Sequence, residues 1–63
     1  MHRHEADHLL AHWIEHNESH VRSFRERAGQ LREISPEAAQ GVEEAAILME
    51  QCTERLKKAR QSL

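Results

Sequence analysis

Apolar residues recur at heptad spacing from Leu10 to Leu31, and that period limits the chain to a small set of folds. Ile14, Val21 and Ala28 form one series; Leu10, Asn17, Phe24 and Leu31 form the other. Two interleaved heptad series lay a continuous stripe along one side of a helix that packs lengthwise on a partner. A second repeat follows. Val42, Met49, Leu56 and Leu63 form one of its series, and the small residues Ala38, Ala45, Cys52 and Ala59 form the other. Small residues on a seam allow a partner helix to come close, and Gly41 at its edge adds room at a cost in helix propensity.

The stretch between the two repeats reads as a turn. Gly29 is a candidate helix stop. Ser35-Pro36-Glu37 is a restart: Ser35 caps, Pro36 suits the first helical position, and Glu37 favours the positive end of the helix dipole. Ile34 before the cap would staple against Ala39. Strands have little support, since the chain has no tyrosine, one proline and few β-branched residues. The sequence therefore predicts an all-α, antiparallel two-helix hairpin. Helix 1 covers about residues 3–28, the turn about 29–35, and helix 2 about 36–61.

A hairpin of 63 residues has little core, because each helix buries one stripe. One cysteine excludes an internal disulfide framework. Stability must then come from a metal, from oligomerisation or from long-helix packing. Ile47 and Leu48 fall outside the seam of helix 2, and Trp13 flanks that of helix 1. These extra apolar positions predict a homodimer assembled as a four-helix bundle. Asn17, inside the apolar stripe, reads as a device that fixes register and oligomeric state, or as a support for a neighbouring ligand.

Charge excludes some classes. With histidine neutral the net charge is −2, which offers no basic field for nucleic acid. No apolar run approaches the roughly 20 residues that span a bilayer. The expectation is a cytoplasmic protein without a nucleic-acid or membrane partner.

His4, His8, His12, His16 and His20 stand four residues apart. On a helix they form a ladder, each one turn above the last. Four residues overshoot a 3.6-residue turn by roughly 40°, so the ladder winds. His16 and His20 approach the edge of the packed stripe, while His8 and His12 turn outward. Imidazoles at i and i+4 can chelate one ion, and imidazole suits zinc, nickel and cobalt. Glu15, Glu18 or a residue of a second chain would complete the shell. A turn centred near Arg32 would set Cys52 level with His12 and Trp13, Leu48 with His16, and Glu44 with His20. Cys52 is read first as a small core residue and second as a soft ligand. His4-Glu5-Ala6-Asp7-His8 spells H-E-x-x-H, and His12-Trp13-Ile14-Glu15-His16 spells H-x-x-E-H, both protease signatures. In a chain whose histidines recur every fourth residue, an acid between them is unsurprising, and a hairpin offers no cleft. Trp13 and Phe24 read as packing anchors. Lys57, Lys58 and Arg60 read as a solvated helix end that suits the dipole.

The run His12-Trp13-Ile14-Glu15-His16-Asn17-Glu18-Ser19-His20, continued to Phe24, resembles a motif of small uncharacterised prokaryotic α-helical proteins, H-W-I-E-H-N-E-x-H followed by a short spacer and Phe. The resemblance implies that His12, Trp13, Glu15, His16, Asn17 and His20 form one unit, and it implies no particular activity. The leading expectation is non-enzymatic binding of a divalent transition ion by His12, His16, His20 and Glu15, with His4, His8 and Cys52 as lesser candidates. The alternative is an interaction module with a pH-sensitive histidine network. A small metallohydrolase comes third.

Overall fold

The computed structural model describes residues 1–63 as two α-helices, α1 (Arg3–Leu31) and α2 (Pro36–Gln61), joined by one turn. They lie antiparallel and side by side, giving a rod of 47 × 14 × 13 Å. No helix is long and apolar enough to cross a membrane.

The start of α2 follows from its capping residues. Ser35 is extended, and its Oγ accepts from the Ala38 N–H at 3.1 Å. Pro36 occupies the first turn, where a missing N–H costs nothing. The end of α1 departs from the expected stop at Gly29. No glycine has a positive φ, and the helix runs through Gly29 to Leu31. Arg32 keeps helical dihedrals and donates its N–H to the Ala28 carbonyl at 3.0 Å. The Leu31 carbonyl then accepts from Ile34 at 2.9 Å and from Ser35 at 2.8 Å. The last carbonyls are thus satisfied by continued turns, and a left-handed glycine cap is not needed. Ile34 is 83% exposed, so no staple forms against Ala39.

The longer α1 moves the centre of the turn to between Glu33 and Ile34, and the pairing shifts by about one helical turn. Asn17 Nδ2 donates to Cys52 Sγ at 3.6 Å, so Cys52 sits beside Asn17, not level with His12. Glu44 accepts from Gln40 at 3.3 Å and does not meet His20.

The α1 stripe packs as its heptads require: Ile14 and Ala28 are buried, and Leu10, Asn17, Val21, Phe24 and Leu31 are half-buried. On α2 Val42, Met49 and Leu56 are half-buried, as expected, whereas Leu63, the fourth member of that series, lies beyond the helix and is exposed. The small-residue series is one position further on. Ala39, Ala46 and Thr53 are buried, while of the expected series Ala45 is half-buried and Ala38, Cys52 and Ala59 are exposed. Either series completes a stripe with Val42 and Met49, so the rotation of α2 about its own axis decides between them. Cys52 is therefore exposed, which corrects the core reading. Thr53 Oγ1 donates to the Met49 carbonyl at 2.8 Å, which makes its burial inexpensive.

Two measurements check this packing. Ser35→Ala should lower stability by about 1 kcal/mol in thermal or urea melts, through loss of the cap. Ala46→Leu should cost about 1–3 kcal/mol by overfilling the seam, whereas Ala38→Leu should stay within about 0.5 kcal/mol. Equal effects at both positions would overturn the assigned rotation of α2.

Candidate functional site

The winding of the ladder gives its histidines different neighbours. His4 and His8 are exposed, with ring centroids 4.8 Å apart and tilted by 51°. His12 and His16 meet edge-on at 6.1 Å. His16 and His20 are stacked, with centroids 4.6 Å apart and planes 21° apart. Their Nε2 atoms converge to 2.8 Å. With both rings neutral, the N–H of one donates a hydrogen bond to the bare nitrogen of the other, so the two tautomers are reciprocal. His20 continues into Phe24, whose ring lies 5.7 Å away at 38°. Phe24 anchors that end in the interhelical stripe.

Asn17 stands between His16 and His20 in sequence, on the flank of α1 nearest α2. Its amide reaches across to the Cys52 thiol and bonds neither histidine. It ties α1 to α2 at the level of the histidine pair. No three of the chain's His, Cys, Asp and Glu side chains converge on a common point. Of the expected ligands the structure brings His16 and His20 together. His12 and His8 instead border a shallow groove with Asp7, Glu15 and Arg60. Glu15, one residue from His16 and so about 100° round the helix, lines a charged groove with Asp7, Glu18, Lys57 and Arg60.

That groove belongs to the opposite flank of the hairpin, which is zipped by ion pairs. Asp7 accepts from Arg60 at 2.8 Å, and Glu18 meets Lys57 at 3.3 Å. Arg25 pairs with Glu50, and Arg32 with Glu43. At the open end Arg3 Nη1 donates to the Leu63 carbonyl at 2.7 Å. The hydrogen bond from Arg60 holds the Asp7 carboxyl below the ordinary aspartate value. Hydrogen bonding to Glu18 raises Lys57, and Asp7 raises Arg60. Lys57 and Arg60 are thus bonded to α1, where the sequence suggested a solvated helix end. The pairing was readable in the charge order. Asp7, Glu18, Arg25 and Arg32 share one stripe of α1 and meet Arg60, Lys57, Glu50 and Glu43 in antiparallel order.

The histidine flank contrasts with this one. Leu9, Trp13, His16, His20 and Phe24 on α1 face the same side as Gly41, Ala45, Leu48 and Cys52 on α2. None of these carries a carboxylate, ammonium or guanidinium group; the exposed residues Arg27, Glu44 and Arg55 border them. Trp13 is 44% exposed and Leu48 65%.

A family described as a domain of unknown function, DUF8180, matches residues 6–63. The chain belongs to the DUF8180 family. The DUF8180 match begins at Ala6, so it takes in His8 to His20 and leaves out His4 and Glu5. Two of the five residues of the H-E-x-x-H run therefore lie outside the family span. An uncharacterised protein of the archaeon Archaeoglobus fulgidus is 42% identical over 52 residues, covering 82% of this chain and 84% of that protein. No solved structure matches.

Asp7 gives a pH test of the zipped flank. Its carboxyl is depressed in the folded state from an unfolded value near 3.8. The stabilisation from Asp7–Arg60 is therefore complete above that value and is lost as pH falls through the lower folded one. An NMR titration of the Asp7 carboxyl should give a midpoint below 3.8. Arg60→Ala should bring that midpoint back up.

Proposed function

We propose that this chain binds a divalent transition ion (zinc, nickel or cobalt) without catalysing a reaction, through a chelate of His16 and His20 on an oligomeric helical bundle. The observation that carries this reading is the convergence of the two Nε2 atoms to 2.8 Å. Two imidazole nitrogens on one ion, each at about 2.0–2.1 Å, stand roughly 2.9 Å apart at a right angle and roughly 3.4 Å apart in a tetrahedron. The pair is therefore close to a chelating bite, and small side-chain rotations suffice to admit an ion. Both rings are exposed, so they are accessible to one.

The chelate provides two donors, and a structural site takes four. Glu15 is turned toward the charged groove and does not supply the third. His12, which borders the groove with His8 and Asp7, would require a change of rotamer. The remaining positions fall to water or to a second chain. Asn17 positions the pair indirectly, by fixing α1 against Cys52 of α2. The reading is of storage, sensing or structural binding in a cytoplasmic setting.

The same contact supports a second reading, as an interaction module sensitive to pH. A neutral His16–His20 pair shares a proton, whereas two protonated rings at this separation repel. Loss of an oligomer between pH 7 and 5, in metal-free protein, would favour this alternative.

Metal titration separates the readings. Stripped protein should bind cobalt, nickel or zinc with a Kd below about 10 μM, a free energy beyond about 6.8 kcal/mol. His16→Ala with His20→Ala should weaken binding by at least about tenfold, or about 1.4 kcal/mol. His4→Ala with His8→Ala should leave it nearly unchanged. Binding unaffected by the first pair of substitutions would sink the proposal.

A further inference from the structure

The flank opposite the ion pairs exposes Trp13, Leu48 and Cys52, and its composition and position bear on what could cover it. The rod exposes 4921 Å² of surface for 7.4 kDa. A compact chain of that mass exposes about 4,200 Å². The surplus, about 700 Å², is close to the roughly 800 Å² that each partner contributes to a standard interface. The two flanks differ in charge. One flank is closed by four interhelical ion pairs. The other presents Trp13, Leu48 and Cys52 exposed, with no charge among them.

Two features favour a second copy of the same chain. A strip of one charge sign repels its own copy, whereas a neutral apolar strip does not. The strip from Leu9 to Phe24 is also centred near Asn17, midway along α1 (Arg3–Leu31). An isologous two-fold contact through that point superposes the whole strip on its mate, with neither rod overhanging the other. Residues beside a two-fold axis meet their own counterparts. In the strip His16 stands beside the midpoint, with Trp13 and His20 about one turn to either side.

We propose that two copies pack uncharged flank to uncharged flank as a four-helix bundle, and that the second copy completes the metal site. Each chain then brings its converged His16–His20 pair to the axis, and four imidazoles surround one ion tetrahedrally. The ligand set rests on the metal reading given above, while the interface stands without it. The stoichiometry differs from that of a one-chain site, with one ion per two chains.

Ile47 and Leu48 supply the decisive comparison. They are adjacent, both exposed (48% and 65%), and about 100° apart on the helix. Leu48 is one turn from Cys52 on the uncharged flank. Ile47 lies between Glu43 and Glu50 on the zipped flank. In EDTA, sedimentation equilibrium should give a dimer of twice 7.4 kDa for the wild type and for Ile47→Arg, and a monomer for Leu48→Arg. Equal behaviour of the two variants, or a wild type that stays monomeric with and without zinc, overturns the interface. If Leu48→Arg unfolds on dissociation, a short bis-maleimide on wild-type protein replaces it. Linkage of two chains through Cys52 at low concentration supports the flank, and only single-chain adducts refute it. Zinc titration followed by equilibrium sedimentation then reads the site. One zinc per dimer, lost in His16→Ala with His20→Ala while the EDTA dimer persists, is the expected result. A dimer without zinc binding leaves the interface intact and removes the metal reading. One zinc per chain refutes the shared site alone.

Discussion

Two helices lie along each other here because the residues between them are small, and the rest of the structure follows from that approach. Ala28, Ala39 and Ala46 are fully buried, and no bulkier aliphatic residue on α2 is buried as deeply. Little apolar surface is removed from water by such a seam, so its strength is modest. Specificity comes from its sides. The acids Asp7 and Glu18 of α1 meet the bases Arg60 and Lys57 near the end of α2, and the bases Arg25 and Arg32 further along α1 meet the acids Glu50 and Glu43 earlier in α2. Exposed pairs of this kind contribute about 0–1 kcal/mol each. Their joint effect is selective. A parallel arrangement, or a rotation of α2 by one residue, would leave several of these charges without partners.

That rotation decides the chemistry of both flanks. With Glu43, Glu50 and Lys57 turned to one side, Cys52 and Leu48 are carried to the other, beside His16, Asn17 and His20. One flank is saturated with charge, and the second is apolar with imidazoles set in it. The proposed ion would suit an imidazole pair beside apolar residues, since neutral rings cost less to desolvate than carboxylates would. The Asn17–Cys52 contact belongs to the same flank, and its groups are both neutral.

The ladder shows how a regular sequence becomes an irregular site. Five histidines at one spacing are equivalent on paper. The roughly 40° overshoot per step carries the lower members away from α2 and the upper members toward it. Phe24, one turn above His20 and anchored in the stripe, lets the upper rings stack. His4 and His8 have no comparable support. His16 and His20 were separated from the other histidines by heptad phase alone, since phase measures distance from the partner helix. Their convergence to 2.8 Å was not readable, because rotamers depend on neighbouring rings.

The heptad repeats by themselves determined two helices, their antiparallel course and the stripe of α1, because hydrophobic period and the Ser35-Pro36 restart are local properties of the chain. They left the end of α1 and the face of α2 undecided. Gly29 can end a helix or continue one, and its neighbours decide by supplying partners for the last carbonyls. Ala38 and Ala39 are equally good seam residues, since adjacent heptad series flank the same Val42–Met49 line. Only packing resolved them: the carbonyl bonds at Leu31 set the length of α1, and the ion pairs set the rotation of α2. The rotation moved Cys52 from the seam to the surface, because a one-residue change of phase turns a helical side chain by about 100°, and the longer α1 moved it from the level of His12 to that of Asn17.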